Sequence, residues 1–136
     1  MTAPRVRHPF IRFQLPALLW AVTIFIASSI PAYSIPNLSI FSHDKLLHLL
    51  VYFIFTSLVY IALIHQTRFP ALSQRPLLWS AVIAAIYGAL DEFHQSFTGR
   101  SADAFDLLAD VAGALLLVAI VLVVRRMRRA RVDSPA

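Results

Sequence analysis

Residues 46–67 read LLHLLVYFIFTSLVYIALIHQT, twenty-two residues without a lysine, arginine, aspartate or glutamate. A helix that crosses the ~30 Å hydrocarbon core of a bilayer needs about 20 predominantly apolar residues. The interval 13–43 is equally free of charge, and two shorter apolar runs follow at 76–90 and 111–124. The sequence therefore predicts an all-α membrane bundle of about four transmembrane helices.

The composition is that of a chain that lies mostly in lipid. Of its 136 residues, 59% are hydrophobic and only 14% are charged, too few charges to cover the surface of a soluble domain. The chain has no cysteine, so disulfides and thiolate metal sites are excluded. Its formal charge of +5 comes largely from residues that flank the apolar runs, and we therefore expect the lipid bilayer, not nucleic acid, as its partner.

Proline and glycine divide the chain into elements without an internal repeat. The pattern predicts a single domain, 1–136, with helices at roughly 15–30, 43–64, 77–97 and 102–124. The first helix has an alternative interpretation, because a basic head, an apolar run and Ala32-Tyr33-Ser34 also resemble a secretory signal peptide. The apolar run is at the long end for a signal peptide, so we expect a retained helix.

Lysine and arginine are distributed unequally between the two ends of the predicted bundle. The two termini and the connection between the second and third helices carry ten of them: Arg5, Arg7, Arg12, Arg68, Arg75, Arg125, Arg126, Arg128, Arg129 and Arg131. The other end has only Lys45 and Arg100. Because cytoplasmic loops are enriched in lysine and arginine, both termini are expected in the cytoplasm.

The acidic residues have the opposite distribution. Six of the seven lie at the outer helix ends: Asp44, Asp91, Glu92, Asp103, Asp106 and Asp110. The apolar run 111–124 spans only about 21 Å at 1.5 Å per residue, less than the ~30 Å core, and the run 76–90 is similarly short. The acidic turns beside these runs must complete both spans. Asp91 and Asp110 are therefore expected below the headgroups, facing protein instead of lipid.

Helical periodicity gathers the polar groups into one outward-facing pocket. The fourth helix carries its acidic residues on one face, Asp103, Asp106 and Asp110, together with Gly113. The third helix has a stripe of small residues that permits close packing: Ala81, Ala84, Ala85 and Gly88. The second helix adds Asp44, His48 and Tyr52 as a third wall. Lys45 and Arg100 are expected to neutralise part of the acidic charge.

Five motifs, in this order, resemble the VanZ-like family of bacterial integral membrane proteins. They are Ser28-Ser29-Ile30-Pro31, Asp44-Lys45-Leu46-Leu47-His48, Tyr87-Gly88-Ala89-Leu90-Asp91-Glu92-Phe93-His94-Gln95, Thr98-Gly99-Arg100-Ser101-Ala102-Asp103 and Asp106-Leu107-Leu108-Ala109-Asp110-Val111-Ala112-Gly113. The chain departs from the family's pattern at Asp110, where asparagine is frequent, and at Leu117, where glycine is common. The resemblance implies a multi-pass protein of the bacterial cytoplasmic (inner) membrane. It also implies an association with low-level antibiotic resistance, to the glycopeptide teicoplanin, but no established reaction.

The polar pocket supplies two sets of candidate site residues. The candidates for acid–base catalysis are Asp91, Glu92, His48 and His94. The candidates for ligand binding are Lys45, His48, Glu92, Gln95, Arg100, Asp103, Asp106 and Asp110. The alternative for both sets is an interhelical polar network that only holds the bundle together. Histidine and carboxylates can also bind a divalent cation, so the group Asp91, Glu92 and His94 with His48 is compatible with a metal-assisted site as well as an acid–base site. No metal-ligand spacing such as His-Glu-x-x-His occurs, so no metal ligands are named, nor any cofactor.

Three functions are compatible with such a pocket. The protein is first expected to bind an anionic amphiphile of the cell envelope, such as a lipid-linked cell-wall precursor, with Arg100 as a clamp. It would thereby affect teicoplanin susceptibility. The alternatives are a small membrane hydrolase or transferase acting on a lipid headgroup, and an ion-coupled transporter subunit. The last requires an oligomer, because four helices are few for a transport path.

Overall fold

A computed structural model describes residues 8–31, 44–98 and 103–132; at Asp44 it describes the backbone only. The elements are a π-helical turn (Phe10–Gln14), α1 (Leu15–Ser28), α2 (Asp44–His65), α3 (Pro70–Gln74), α4 (Pro76–Gln95) and α5 (Ala104–Val132). Within those ranges no strand occurs. Four helical segments are long and apolar enough to cross a membrane: Phe10–Ser28, Lys45–His65, Pro76–Gln95 and Ala104–Val132. The predicted all-α membrane bundle is confirmed.

Proline sets the beginning of two helices. Pro70 and Pro76 open α3 and α4, where a residue without an N–H loses no intrahelical hydrogen bond. Pro16 instead lies within the continuous helical segment Phe10–Ser28. The sequence predicted only a turn between the second and third spans, whereas the structure places the five-residue helix α3 there.

The last helix is longer than predicted. The sequence placed its end at Val124, where the arginines begin, but α5 continues to Val132 and contains 29 residues. Arginine is a good helix former, and positive charge near a helix C-terminus is stabilised by the helix dipole. At 1.5 Å per residue α5 is about 44 Å long, which exceeds the hydrocarbon core by roughly 14 Å.

Helix α2 forms the centre of the bundle and contacts α1, α4 and α5. Half of the buried apolar residues come from α2, and the others from α1, α4 and α5: Ala17, Ile24, Tyr52, Phe55, Val59, Ala62, Leu63, Ala84, Ala114 and Leu117. Large apolar side chains such as Leu19, Ile86 and Leu115 are more than half exposed. In water such a surface would aggregate, but in a bilayer it faces lipid.

Two glycines allow the central helices to approach closely. A Cβ atom at Gly113 of α5 would lie 2.9 Å from the backbone nitrogen of Phe53 and 3.1 Å from the carbonyl carbon of Leu49, both in α2. A Cβ atom at Gly88 of α4 would lie 3.0 Å from Oδ2 of Asp110. Small residues at these two positions therefore bring α2, α4 and α5 together around the Asp110 carboxylate.

Helix α1 has few buried side chains, and hydrogen bonds as well as apolar contacts join it to α2 and α4. Only Ala17, Ile24 and Ser28 of α1 are buried. The indole nitrogen of Trp20 donates to the carbonyl oxygen of Val51 (3.1 Å), and the Tyr87 hydroxyl donates to that of Ala21 (2.7 Å). These bonds hold α1 against α2 and α4 with little apolar burial.

Candidate functional site

The α2 N-terminus, the α4 C-terminus and the α5 N-terminus meet at one end of the bundle. Their side chains form a group that we call the polar cluster: Lys45, His48, Glu92, Asp103, Asp106 and Asp110. Asp110 is completely buried, and Glu92 and Asp106 are only 7% and 6% exposed. The sequence-based expectation that acidic turns are drawn into the protein therefore agrees with the burial of these side chains.

Lys45 neutralises the exposed side of the cluster. Its ammonium nitrogen donates to Oδ2 of Asp103 (2.8 Å) and to Oδ1 of Asp106 (2.6 Å), so one lysine of α2 joins two carboxylates at the start of α5. The hydrogen bond from Lys45, with a second from the backbone N–H of Phe105, holds the pKa of the Asp103 carboxyl below its usual value. Both contacts favour a permanently ionised Asp103.

His48 and Asp110 form the buried centre of the cluster. Nδ1 of His48 lies 2.9 Å from Oδ1 of Asp110, and Nε2 lies 3.9 Å from Oδ2 of Asp106. The imidazole therefore lies between two carboxylates of α5 that are one turn apart. The other carboxylate oxygen of Asp110, Oδ2, is buried and has no hydrogen-bond donor in the described part of the chain.

Glu92 links α4 to the beginning of α5. Its Oε2 accepts a hydrogen bond from the backbone N–H of Asp103 (3.0 Å), just ahead of the first turn of α5. Its Oε1 is buried and, among residues 8–31, 44–98 and 103–132, has no hydrogen-bond partner. Oε2 of Glu92 thus holds the beginning of α5 against α4, whereas Oε1 makes none of these hydrogen bonds and is open to a further ligand.

A cavity of about 120 Å³ adjoins the cluster between α1, α2 and α4. It is lined by Ile24, Ala27, Ser28, Leu47, His48, Val51, Tyr52, Asp91 and Gln95. Asp91 is 6% exposed and accepts a hydrogen bond from Nε2 of Gln95 (3.2 Å). The Tyr52 hydroxyl is buried without a hydrogen-bond partner in the described ranges. His48 belongs to both the cavity and the polar cluster.

His94 makes its contacts with α1. Its Nε2 lies 2.9 Å from Oγ of Ser29, and its ring stacks on Phe25 with centroids 4.6 Å apart. Thr98 Oγ1 also donates to the carbonyl oxygen of Ser28 (3.2 Å). Of the candidate catalytic residues, His48, Glu92 and Asp91 therefore line the cluster or its cavity, whereas His94 joins the end of α4 to the end of α1.

Two predicted residues fall outside what is described. Arg100 lies in the undescribed stretch 99–102, and the side chain of Asp44 is likewise not described. The structure adds Ser28 and Ser29, to which sequence reasoning assigned no contact. The signal for them was a pair of hydroxyls at the end of an otherwise apolar helix, which is a weak pattern because serine often bonds to its own helix.

Comparison with known proteins identifies the family but adds no detail of the site. No curated protein and no solved structure matches the chain. The family model of VanZ/LLP1 matches residues 13–125. That range includes all four apolar segments nearly complete and every residue of the polar cluster. The chain therefore belongs to the VanZ/LLP1 family, as its motifs indicated, and is a membrane protein with four helices able to span the bilayer.

Proposed function

We propose that this protein binds an anionic amphiphile of the bacterial cell envelope, such as a lipid-linked cell-wall precursor, with the headgroup at the polar end of the bundle. The observation that carries the proposal is the composite character of the cavity between α1, α2 and α4. Its walls are apolar at Ile24, Leu47 and Val51, and polar or charged at Ser28, His48, Asp91 and Gln95. A ligand that is partly hydrocarbon and partly polar matches such a lining.

The positive charge for an anionic headgroup is assigned to Arg100. Lys45 is engaged by Asp103 and Asp106, so its ammonium group is already compensated. Arg100 follows Thr98 and precedes Asp103 in the chain, and both of those residues are held at the polar end by hydrogen bonds to Ser28 and Glu92. A guanidinium binds phosphate or carboxylate through paired hydrogen bonds.

The orientation follows from the distribution of basic residues. Of the nine lysines and arginines in the described ranges, the eight other than Lys45 lie at the end opposite the polar cluster: Arg12, Arg68, Arg75, Arg125, Arg126, Arg128, Arg129 and Arg131. By the positive-inside rule that end lies in the cytoplasm, and the protein lies in the cytoplasmic (inner) membrane with its cavity at the outer leaflet. The cavity is then placed where lipid-linked envelope precursors are exposed for use.

Binding is tested with the purified protein in detergent and a polyprenyl diphosphate as probe, with affinity followed by native mass spectrometry. Ala27 is exposed and lines the cavity, so Ala27→Phe fills the cavity without disturbing the buried core. We expect Ala27→Phe and Arg100→Ala each to weaken binding at least about tenfold. Phosphatidylcholine, which carries no net charge, is expected to bind more weakly and to be insensitive to Arg100→Ala.

Two matched variants control for non-specific effects. Ala89→Phe adds the same ring at an exposed position of α4 that does not line the cavity, and Arg131→Ala removes an arginine from the opposite end. Both should bind the probe like the wild type. If all four variants bind it equally, the cavity is not the binding site and the proposal is wrong.

A consequence at the level of the cell is altered teicoplanin susceptibility. A protein that holds a cell-wall precursor changes the amount that the glycopeptide can reach. We expect expression of the wild type to shift teicoplanin susceptibility, and Ala27→Phe to abolish the shift while Ala89→Phe keeps it. If Ala27→Phe and Ala89→Phe shift teicoplanin susceptibility equally, the change in susceptibility does not depend on the cavity.

Catalysis on a lipid headgroup is the second candidate function, and the contact between His48 and Asp110 favours it. A carboxylate that holds one imidazole nitrogen orients the ring for proton transfer at the other. The measurement is turnover of the polyprenyl diphosphate by the purified protein. If the wild type releases phosphate and His48→Gln does not, the protein is an enzyme. If the probe binds without turnover, only the binding function is supported.

A further inference from the structure

We propose that His48, Glu92 and Asp110 form a binding site for a divalent transition-metal cation such as Mn²⁺ or Zn²⁺. Each residue offers one ligand atom, and the three atoms lie within 4.8 Å of one another. The residues come from three different helices, α2, α4 and α5. The proposal does not require an amphiphile in the neighbouring cavity, which shares His48 with this site.

The carboxylate oxygens without partners point to a ligand. Asp110 is fully buried and Glu92 is 7% exposed, yet Oδ2 of Asp110 and Oε1 of Glu92 find no hydrogen-bond donor within the described ranges. A buried carboxylate oxygen without a donor is costly, because water no longer solvates it. A bound cation removes that cost at both oxygens at once.

The spacing of the donor atoms suits one cation. Nδ1 of His48 lies 2.9 Å from Oδ1 of Asp110, a contact that holds the imidazole beside the carboxylate whose Oδ2 has no donor within the described ranges. Ligands on opposite sides of a cation at ~2.1–2.4 Å are about 4.2–4.8 Å apart, so three ligand atoms that all lie within 4.8 Å of one another fit around a single cation.

The surrounding charge also favours a cation. Asp91 and Asp106 are 6% exposed and lie on the same helices as Glu92 and Asp110. Lys45 reaches Asp106 but is paired as well with Asp103, so one ammonium group serves two carboxylates. A divalent cation compensates the remaining negative charge, which a buried site cannot leave to solvent.

The donor set selects the class of metal. Imidazole nitrogen is a preferred ligand of zinc and other transition metals, and carboxylate oxygen suits manganese and also binds zinc. One imidazole with two carboxylates therefore favours Mn²⁺ or Zn²⁺ over Mg²⁺, which prefers oxygen ligands and retains its water.

The test uses the full chain, purified in detergent and treated with a chelator, with metal alone as the probe. We expect about one equivalent of Zn²⁺ by elemental analysis after gel filtration. With Mn²⁺, electron spin echo spectroscopy should detect coupling to a histidine nitrogen. Glu92→Gln and His48→Gln should each weaken Mn²⁺ binding at least about tenfold, and His48→Gln should abolish the nitrogen coupling.

The matched control is His65→Gln, the same substitution at the opposite end of α2. This variant should bind the metal and show the nitrogen coupling like the wild type. Circular dichroism and elution volume establish that each variant folds. A wild-type protein that retains less than about a tenth of an equivalent of either metal overturns the site, as does a folded Glu92→Gln protein that binds Mn²⁺ as tightly as His65→Gln.

Discussion

Gly113 of α5 lies against the backbone of Leu49 in α2 without room for a methyl group between them. A Cβ atom at Gly113 would come within 3.1 Å of the Leu49 carbonyl carbon and 2.9 Å of the Phe53 nitrogen. Backbone atoms of a helix cannot rotate away as a side chain can. This contact therefore fixes the distance between the two helices that carry His48 and Asp110.

Gly113→Ala is expected to destabilise the bundle. The added methyl group forces α2 and α5 apart, and overpacking of this kind costs about 1–3 kcal/mol, occasionally more. Gly88→Ala is the matched control, because its nearest neighbours are side-chain atoms, Asp110 Oδ2 at 3.0 Å and Tyr52 Cε1 at 3.3 Å, which can shift. The melting temperature in detergent should be much lower for Gly113→Ala than for Gly88→Ala. The reverse order would contradict the close approach of α2 and α5.

Removal of the hydroxyl group is expected to lower the stability of the protein at Tyr87 but not at Tyr52. The hydroxyl of Tyr87 donates to the Ala21 carbonyl oxygen at 2.7 Å, so Tyr87→Phe should cost about 1 kcal/mol of unfolding free energy. The hydroxyl of Tyr52 is buried without a partner in the described part of the structure, so Tyr52→Phe should be neutral or stabilising. The measurement is chemical unfolding of both variants without added metal. A clear loss of stability in Tyr52→Phe would mean that its hydroxyl has a partner.

The two ion pairs of Lys45 are expected to contribute unequally to the stability of the protein. Lys45→Met removes the counter-ion of both Asp103 and Asp106, whose side chains are 38% and 9% exposed. Water solvates the exposed carboxylate but not the buried one, so Lys45→Met should lower the melting temperature. Adding Asp106→Asn should recover most of that loss, and adding Asp103→Asn much less. Equal recovery from both second substitutions would show that burial does not decide the energetics of these pairs.

The absence of cysteine from the sequence makes the orientation directly measurable. Ser96 and Ala130 are exposed residues at opposite ends of the bundle, so Ser96→Cys and Ala130→Cys introduce single thiols. In intact cells a membrane-impermeant maleimide should label Ser96→Cys only, and Ala130→Cys should react after the membrane is opened. Labelling of Ala130→Cys in intact cells would show the opposite orientation, with the polar cluster on the cytoplasmic side.

The sequence predicted the elements of the fold better than their ends. Four apolar segments long enough to span a bilayer follow directly from the spacing of charged residues, and the structure confirms them. The end of α5 at Val132 lies beyond the predicted end at Val124, because the arginines end the apolar run without ending the helix. Charge limits the depth of a helix in lipid, but arginine does not interrupt helical hydrogen bonding.

The site was predictable where periodicity alone decides which side chains share a face. Asp106 and Asp110 are one turn apart, so their common contact with His48 follows from helical geometry and the one-sided distribution of acidic residues. The role of His94 was not predictable, because adjacent positions near a helix end point in different directions and only the packing of α1 decides which neighbour each one meets. The proposed donor set of His48, Glu92 and Asp110 comes from three different helices, so it has no fixed sequence spacing by which it could be recognised.

The slight burial of α1 determines how a molecule reaches the cavity. Ile24, Ala27 and Ser28 form one wall of it, and they belong to α1, which has the fewest buried residues of the four long helices in the described ranges. Moving α1 aside breaks a few hydrogen bonds, such as that from Trp20 to Val51, whereas moving α4 or α5 exposes the glycine contacts and the core. For the proposed amphiphile the easiest entrance is therefore lateral, between α1 and its neighbours, so that the ligand enters the cavity directly from the bilayer.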